Sequence, residues 1–148
     1  MRSVTAILVV VVFSVILDGP TVVAHEGMDP HWIWVSADRS TGQVVTLRKS
    51  FVVPGRAVKA RLDLAADFTR CHVKLNGETL TELDQYGPWL ELDVTEQLKA
   101  GENTFELQCV SGAGPAAIAM SLGVMQSDET RRYVVSDTKW QARIDSAA

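Results

Sequence analysis

The stretch from Val58 to Gly77, VKARLDLAADFTRCHVKLNG, constrains the fold more than any other part of the chain. Apolar and polar residues alternate from Val58 to Leu64 and again from Cys71 to Leu75. Because successive side chains of a β-strand point to opposite faces of a sheet, this alternation predicts two half-buried strands. The Asn76-Gly77 pair then predicts a tight hairpin turn, since both residue types tolerate positive φ angles.

The same alternation recurs along most of the remaining sequence, with Gly, Pro, Asn or Asp between the segments. Thr95 suits a helix N-cap and Gly101 a helix stop, so a single helical turn is predicted over Glu96 to Ala100. About eight or nine short strands, separated by turn residues, are typical of an all-β sandwich. Further strands are predicted at 31–36, 44–53, 78–83, 90–94, 103–111, 116–124 and 131–136.

The N-terminus has the features of a secretory signal peptide. Arg2 precedes a strongly apolar run, and Ala24 closes a stretch of small residues of the kind that signal peptidase cleaves. We therefore predict a signal peptide over 1–24, a lead-in segment over 25–31, a β-sandwich over 32–140 and a C-terminal tail over 141–148. This organisation predicts a secreted or periplasmic protein.

The overall charge excludes two classes of partner. The 148 residues carry a formal net charge of −4, with no run of basic residues. Such a chain has no electrostatic footprint for nucleic acid or for an anionic membrane surface. The apolar run is shorter than the roughly 20 residues that span a bilayer, so a cleaved signal peptide is favoured over an uncleaved anchor. No stable membrane insertion is expected after signal cleavage.

The two cysteines, Cys71 and Cys109, both fall in the apolar phase of predicted strands. An oxidising compartment would permit a disulfide between them, which would close a loop of 38 residues (109 − 71). The alternative is two buried thiols that never meet. Sequence alone leaves both possibilities open, because it does not give the distance between the two positions.

The order of the motifs WIW, LRKSFVVPG, VKLNGETL, LDVTEQLKAGENTFELQ and SDTKW resembles the galactose-binding-like jelly roll. It is similar in particular to the non-catalytic sugar-binding domain at the N-terminal side of β-galactosidases, β-glucuronidases and α-L-rhamnosidases. The resemblance spans Trp32 to Trp140 and implies a jelly-roll β-sandwich that serves as an accessory module. In those enzymes the catalytic residues lie on a following barrel, so no catalytic activity is expected of this polypeptide.

We therefore expect an exported, non-catalytic binding module with carbohydrate as its ligand class. The alternative is a structural accessory domain without a ligand, which packs against a larger exported protein or is a truncated N-terminal piece of one. A large exposed apolar patch would favour this alternative.

The loop before the 90–94 strand contains the best candidate ligand surface. Trp89 and Tyr86 can stack on the apolar face of a sugar ring, and Asp84, Gln85 and Glu91 can hydrogen-bond to its hydroxyl groups. The alternative is that Trp89 caps the end of the sandwich. The other three tryptophans, Trp32, Trp34 and Trp140, are predicted to seal the two sheets.

One enzymatic alternative depends on the predicted cleavage site. His25 would become the N-terminal residue, whose amine and imidazole can chelate copper, as in lytic polysaccharide monooxygenases. A second histidine is required, and only His31 and His72 are available. His31 is too close in sequence and His72 lies within a hairpin strand. No cofactor, zinc motif or catalytic carboxylate pair is predicted, and whether a structural calcium is bound is left open.

Overall fold

The computed structural model describes residues 29–35 and 41–145. The predicted signal peptide and His25 lie outside these residues. Within the described ranges the chain forms nine strands and no helix, which confirms the all-β prediction. The strands are β1 (Val44–Val53), β2 (Ala57–Asp67), β3 (Thr69–Leu75), β4 (Glu78–Leu83), β5 (Leu90–Asp93), β6 (Gly101–Ser111), β7 (Ala117–Gln126), β8 (Arg131–Val135) and β9 (Gln141–Ile144).

The strands form two antiparallel sheets. The five-stranded sheet has the order β4-β3-β6-β1-β9, and the four-stranded sheet has the order β5-β2-β7-β8. Consecutive strands β2 and β3 belong to different sheets, so the chain crosses between the layers at Phe68. No described helix is long and apolar enough to cross a membrane.

The core lies between the sheets and contains the residues in the apolar phase of each strand. Leu62 and Leu64 on β2 are fully buried, as are Val73 on β3 and Leu107 on β6. Each fully buried aliphatic side chain contributes about 1.5 to 3 kcal/mol relative to an exposed one. The alternation in the stretch from Val58 to Gly77 therefore reflects burial, as predicted, because its buried apolar residues face the opposite sheet.

Cys71 and Cys109 form a disulfide between neighbouring strands. The residues are directly opposite each other in the β3–β6 register, with their Cα atoms 4.1 Å apart. Both side chains are buried in the core. The bond therefore joins two central strands of the five-stranded sheet, and the alternative of two separate thiols does not hold in this structure.

Two predicted element boundaries are wrong. The predicted strand at 31–36 is reduced, within the described residues, to one bridge in which Ile33 pairs with Ile118 of β7. The predicted tail begins with β9, whose residues pair with β1 from Val45 to Arg48. All of β9 is exposed, so its side chains carry no core signal; the backbone pairing with β1 determines the strand.

The predicted helical turn over Glu96 to Ala100 is also wrong, because other groups take the hydrogen bonds that a helix would need. The Thr95 hydroxyl accepts a hydrogen bond from the Ala60 amide at 2.8 Å instead of capping a helix. The Lys99 amide donates to the side-chain oxygen of Asn103 at 2.9 Å instead of to a carbonyl of its own segment. The segment is therefore a hydrogen-bonded turn held by side chains from β6 and by the backbone of β2.

Candidate ligand-binding surface

Three connections meet at one end of the sandwich: the β2–β3 crossover, the β4–β5 loop and the β6–β7 loop. The Gly112 amide donates a hydrogen bond of 2.6 Å to the Phe68 carbonyl, which joins the first to the third. A Cβ atom on Gly112 would lie 2.3 Å from the Gln85 side-chain oxygen and 3.1 Å from the Phe68 carbonyl oxygen, so both groups pack closely on this glycine. We call this cluster of Phe68, Gln85, Tyr86, Gly112 and Gly114 the loop end.

Phe68 and Tyr86 are the aromatic centre of the loop end. Their rings meet edge to face with centroids 4.9 Å apart. A Cβ atom on Gly114 would lie 2.0 Å from the Phe68 ring, so the ring packs directly on that glycine. Phe68 and Tyr86 have φ angles of 48° and 61°, which are uncommon for non-glycine residues and occur mainly where surrounding structure enforces them.

Tyr86 and Trp89 both remain accessible to solvent on the β4–β5 loop. The Tyr86 side chain is 62% exposed although it packs on Phe68, and Trp89 is 46% exposed one residue before β5. Within the described part of the chain, the Trp89 indole N–H has no hydrogen-bond partner. Trp89 is therefore partly covered and partly accessible to solvent, and whether it caps the sandwich or binds a ligand stays a prediction.

Asp84 and Gln85 occupy different environments on the same loop. Asp84 is largely exposed, forms a 3.5 Å ion pair with Arg70, and accepts the Gly87 amide at 3.1 Å through its carbonyl. Gln85 is half-buried against Gly112. An exposed ion pair of this kind contributes little to stability, so the Asp84 carboxylate is free to exchange Arg70 for a ligand hydroxyl.

Glu91 is placed away from the loop end. It lies on β5 opposite Asp63, on the outer face of the four-stranded sheet, and its carboxylate binds the Arg61 guanidinium. The pKa of Arg61 is raised above its ordinary value, chiefly by the hydrogen bond to Asp63 and further by the charge of Glu91. Of the five predicted ligand-binding residues, the structure therefore groups Asp84, Gln85, Tyr86 and Trp89 on one loop and assigns Glu91 to another surface.

Phe68 is an aromatic residue of the loop end that the sequence pattern did not predict as part of a site. It lies between two alternating segments and was not separated from ordinary turn residues there. A signal was present, because a large aromatic residue at the junction of two strands is unusual among the small and polar residues typical of turns. Its role becomes visible only with the contacts to Tyr86 and Gly114.

The other tryptophans differ from one another. Trp140 is buried, stacks on Phe105 with ring centroids 6.5 Å apart, and donates its indole N–H to the Val135 carbonyl at 2.9 Å. Trp34 is partly buried against the core. Trp32 is 57% exposed and lines an open cavity with Trp34 and Trp140, so it is far less buried than a residue that seals the sheets.

The two described histidines are not neighbours. His72 lies on β3 in the five-stranded sheet and pairs with Glu82 at 3.0 Å, whereas the His31 backbone pairs with Ser136 beside β7. The described residues contain no cluster of three or more His, Cys, Asp or Glu side chains suited to a metal ion. His25 lies outside the described residues, so the remote copper alternative rests on the sequence alone.

The two-sheet architecture and the solved structures that resemble it are consistent with a galactose-binding-like β-sandwich domain. The chain is similar in structure to an α-L-rhamnosidase of Streptomyces avermitilis complexed with L-rhamnose, with a TM-score of 0.69 and 21% identity over 80% of this chain. It is also similar to an α-L-rhamnosidase of Bacillus sp. GL1, with a TM-score of 0.64 and 21% identity over 78% of this chain. At this identity the likeness concerns the fold alone.

A lectin of Pleurotus ostreatus is a third similar structure. Its TM-score is 0.68 at 26% identity over 78% of this chain, and it has also been solved in complex with GalNAc. This chain spans 35% of the lectin's length and only 12% and 13% of the two rhamnosidases. No family model and no curated protein sequence matches the chain.

Proposed function

We propose that this protein is an exported, non-catalytic carbohydrate-binding module that contacts a glycan through the β4–β5 loop at the loop end. The observation that carries the proposal is that two accessible aromatic residues, Tyr86 and Trp89, lie on the same loop as the exposed carboxylate of Asp84. Aromatic rings stack on the apolar faces of sugars, while carboxylate and amide groups bind sugar hydroxyl groups and fix orientation.

The geometry around Tyr86 supports a preformed surface. Phe68 holds the Tyr86 ring from one side, and Gly114 leaves the room that Phe68 needs. A loop that is already ordered loses less conformational entropy when it binds, so more of the contact energy appears as affinity. An exposed and shallow surface of this kind binds in the micromolar to millimolar range, about −8 to −4 kcal/mol.

The comparisons supply a second line of support. The similar structures are a lectin and rhamnosidases of which a domain this size is only a small part. These relations suggest L-rhamnose and GalNAc as first probes, since the similar proteins were solved with them. A non-catalytic role also agrees with the small fraction of the rhamnosidase chains that this domain matches.

The test begins with a glycan array and the two probe sugars. The protein lacking residues 1–24 is titrated while amide chemical shifts are recorded by NMR. We expect saturable shifts at residues 84–89, and at least about fivefold weaker binding in Trp89→Ala and Tyr86→Ala, because each loses a stacking contact of about 1 kcal/mol. Trp89→Phe keeps a ring face and should retain part of the affinity.

Trp32→Ala is the matched control, because Trp32 is another exposed tryptophan but lines a cavity with Trp34 and Trp140 that contains no residue of the β4–β5 loop. It should leave the titration unchanged. Loss of binding in Trp32→Ala but not in Trp89→Ala would overturn the assignment of the surface. If no array glycan shifts residues 84–89 at millimolar concentration, the carbohydrate proposal fails and the structural accessory role is favoured. Export is tested separately by N-terminal sequencing of the secreted protein, which should begin at His25.

A further inference from the structure

A second surface lies on the outer face of the four-stranded sheet, away from the loop end. An open cleft of about 400 Å³ crosses β2, β7 and β8. Its charged lining residues are Lys59, Arg61 and Arg131, all of them cations, and its aromatic residue is Tyr133. A cleft lined by one sign of charge concentrates ligands of the other sign, and here it does so on a chain whose net charge is −4.

The strand register explains why a cleft forms there. Arg61 of β2 and Tyr133 of β8 are both directly opposite Gly123 of β7, so the central position of this row has no side chain. The Tyr133 ring lies against the vacant space, 3.4 Å from the position of a Cβ atom on Gly123. Tyr133 nevertheless remains 43% exposed, so it forms one wall of the cleft with a ring accessible to solvent.

The next row provides the free charges. Lys59 of β2 and Arg131 of β8 flank Met125 of β7 in the same way, and both side chains are exposed. Within the described residues neither forms an ion pair. The pKa of Asp93 is lowered chiefly by hydrogen bonds from Thr95, and the charge of Lys59 adds to this effect.

Arg61 differs from these two cations because its charge is already paired. Its guanidinium bonds to Asp63 at 2.8 Å and to Glu91 on β5, which draws it toward the far side of β2. The two ends of the cleft along the strand direction therefore differ in chemistry. One end offers an aromatic wall over a glycine floor, and the other end offers two unpaired cations on either side of Met125.

We propose that this cleft binds a carboxylate-bearing saccharide unit, a uronate, with its ring against Tyr133 above Gly123 and its carboxylate between Lys59 and Arg131. The carboxylate receives charge-assisted hydrogen bonds from the two cations, and the ring receives stacking from the tyrosine. An acidic peptide would satisfy the cations but would make no use of the exposed Tyr133 ring that lies beside Gly123. The proposal does not depend on glycan binding at the loop end.

The test compares an oligogalacturonate with a neutral galactose oligomer of the same length, and adds a short polyglutamate peptide. Binding is measured by calorimetry and by amide shifts of the protein lacking residues 1–24. We expect the uronate alone to shift Lys59, Gly123 and Tyr133 saturably, with affinity that falls as salt rises because exposed charges are screened. Equal binding of the neutral oligomer, or preference for polyglutamate, would overturn the proposal.

Four variants probe the two ends of the cleft. Gly123→Val fills the floor with a residue suited to a strand and should abolish uronate binding. Lys59→Gln with Arg131→Gln should weaken binding about tenfold or more, because hydrogen bonds to charged groups are lost. Tyr133→Phe should bind normally and Tyr133→Ala poorly.

Two controls separate this surface from others. Arg48→Gln, an exposed cation on the five-stranded sheet, should leave uronate affinity unchanged. Trp89→Ala should also leave it unchanged, so that this proposal and the loop-end proposal fail independently. If Gly123→Val does not fold, the Lys59 and Arg131 variant still decides the outcome: full uronate affinity in that folded variant would refute the site.

Discussion

Replacing Asn103 by Ala tests how a buried polar side chain holds the turn between β5 and β6. Asn103 is fully buried on β6. Its side-chain oxygen accepts hydrogen bonds from the Lys99 amide and the Asn76 side chain, each at 2.9 Å. Its side-chain nitrogen donates to the Lys99 carbonyl at 2.8 Å and to the Gly101 carbonyl at 3.0 Å. One side chain thus satisfies three backbone groups at the turn, and it also binds the Asn76 side chain at the end of β3.

The magnitude follows from these four bonds. An intramolecular hydrogen bond contributes about 0.5 to 1.5 kcal/mol, and leaving a buried partner unsatisfied costs about 1 to 3 kcal/mol. Water can reach some of the freed groups, because Lys99 is exposed. We therefore expect Asn103→Ala to lower the free energy of unfolding by about 3 to 5 kcal/mol, a large share of the 5 to 15 kcal/mol typical of a domain.

Urea denaturation followed by circular dichroism measures the change. Asn103→Asp keeps the oxygen acceptor but removes both donated bonds, so it should also destabilise the fold at neutral pH. Gln108→Ala, on the exposed face of the same strand, is the control and should change stability by less than about 0.5 kcal/mol. A loss below about 1 kcal/mol in Asn103→Ala would refute the view that this network holds the turn.

Two further perturbations have directions that the structure determines. Replacing Cys71 and Cys109 by Ala removes a cross-link with a sequence separation of 38 and should lower the free energy of unfolding by about 4 kcal/mol. Urea denaturation with and without reductant measures the change. A wild type whose stability does not change on complete reduction would contradict this. The Thr46 hydroxyl and then Arg143 lower the pKa of Asp145 below its ordinary value of 3.8. The stability that the Asp145 carboxylate contributes is therefore present above pH 3.8 and is lost as pH falls through the lower folded-state pKa. The difference in the free energy of unfolding between wild type and Asp145→Asn should shrink below about pH 4. A difference independent of pH would argue against this role of Asp145.

The inward faces of the sandwich were predictable because hydrophobic burial leaves a period of two in the sequence. The predicted helical turn failed because its cause lay elsewhere in the chain. Thr95 is a residue type that favours the N-cap position, but its hydroxyl accepts a hydrogen bond from the Ala60 amide. The Lys99 amide donates to the Asn103 side chain. Asn76 was interpreted as a turn residue, and its positive φ of 55° agrees with that, yet its side chain also bonds to Asn103 across the sheet.

The candidate surfaces depend on register in the same way. Glu91 is two residues from Trp89 in sequence, which suggested a shared ligand surface, but β5 places it opposite Asp63 and beside Arg61. That contact has a consequence for the second surface, since Glu91 and Asp63 hold the Arg61 guanidinium away from Lys59 and Arg131. Neutralising Glu91 removes one of the two carboxylates that pair with Arg61, so more of the Arg61 charge is left for an anion in the cleft and the affinity of the cleft for anions should rise. We expect tighter uronate binding in Glu91→Gln than in wild type, measured by the same calorimetry, and weaker binding would refute this role of Glu91.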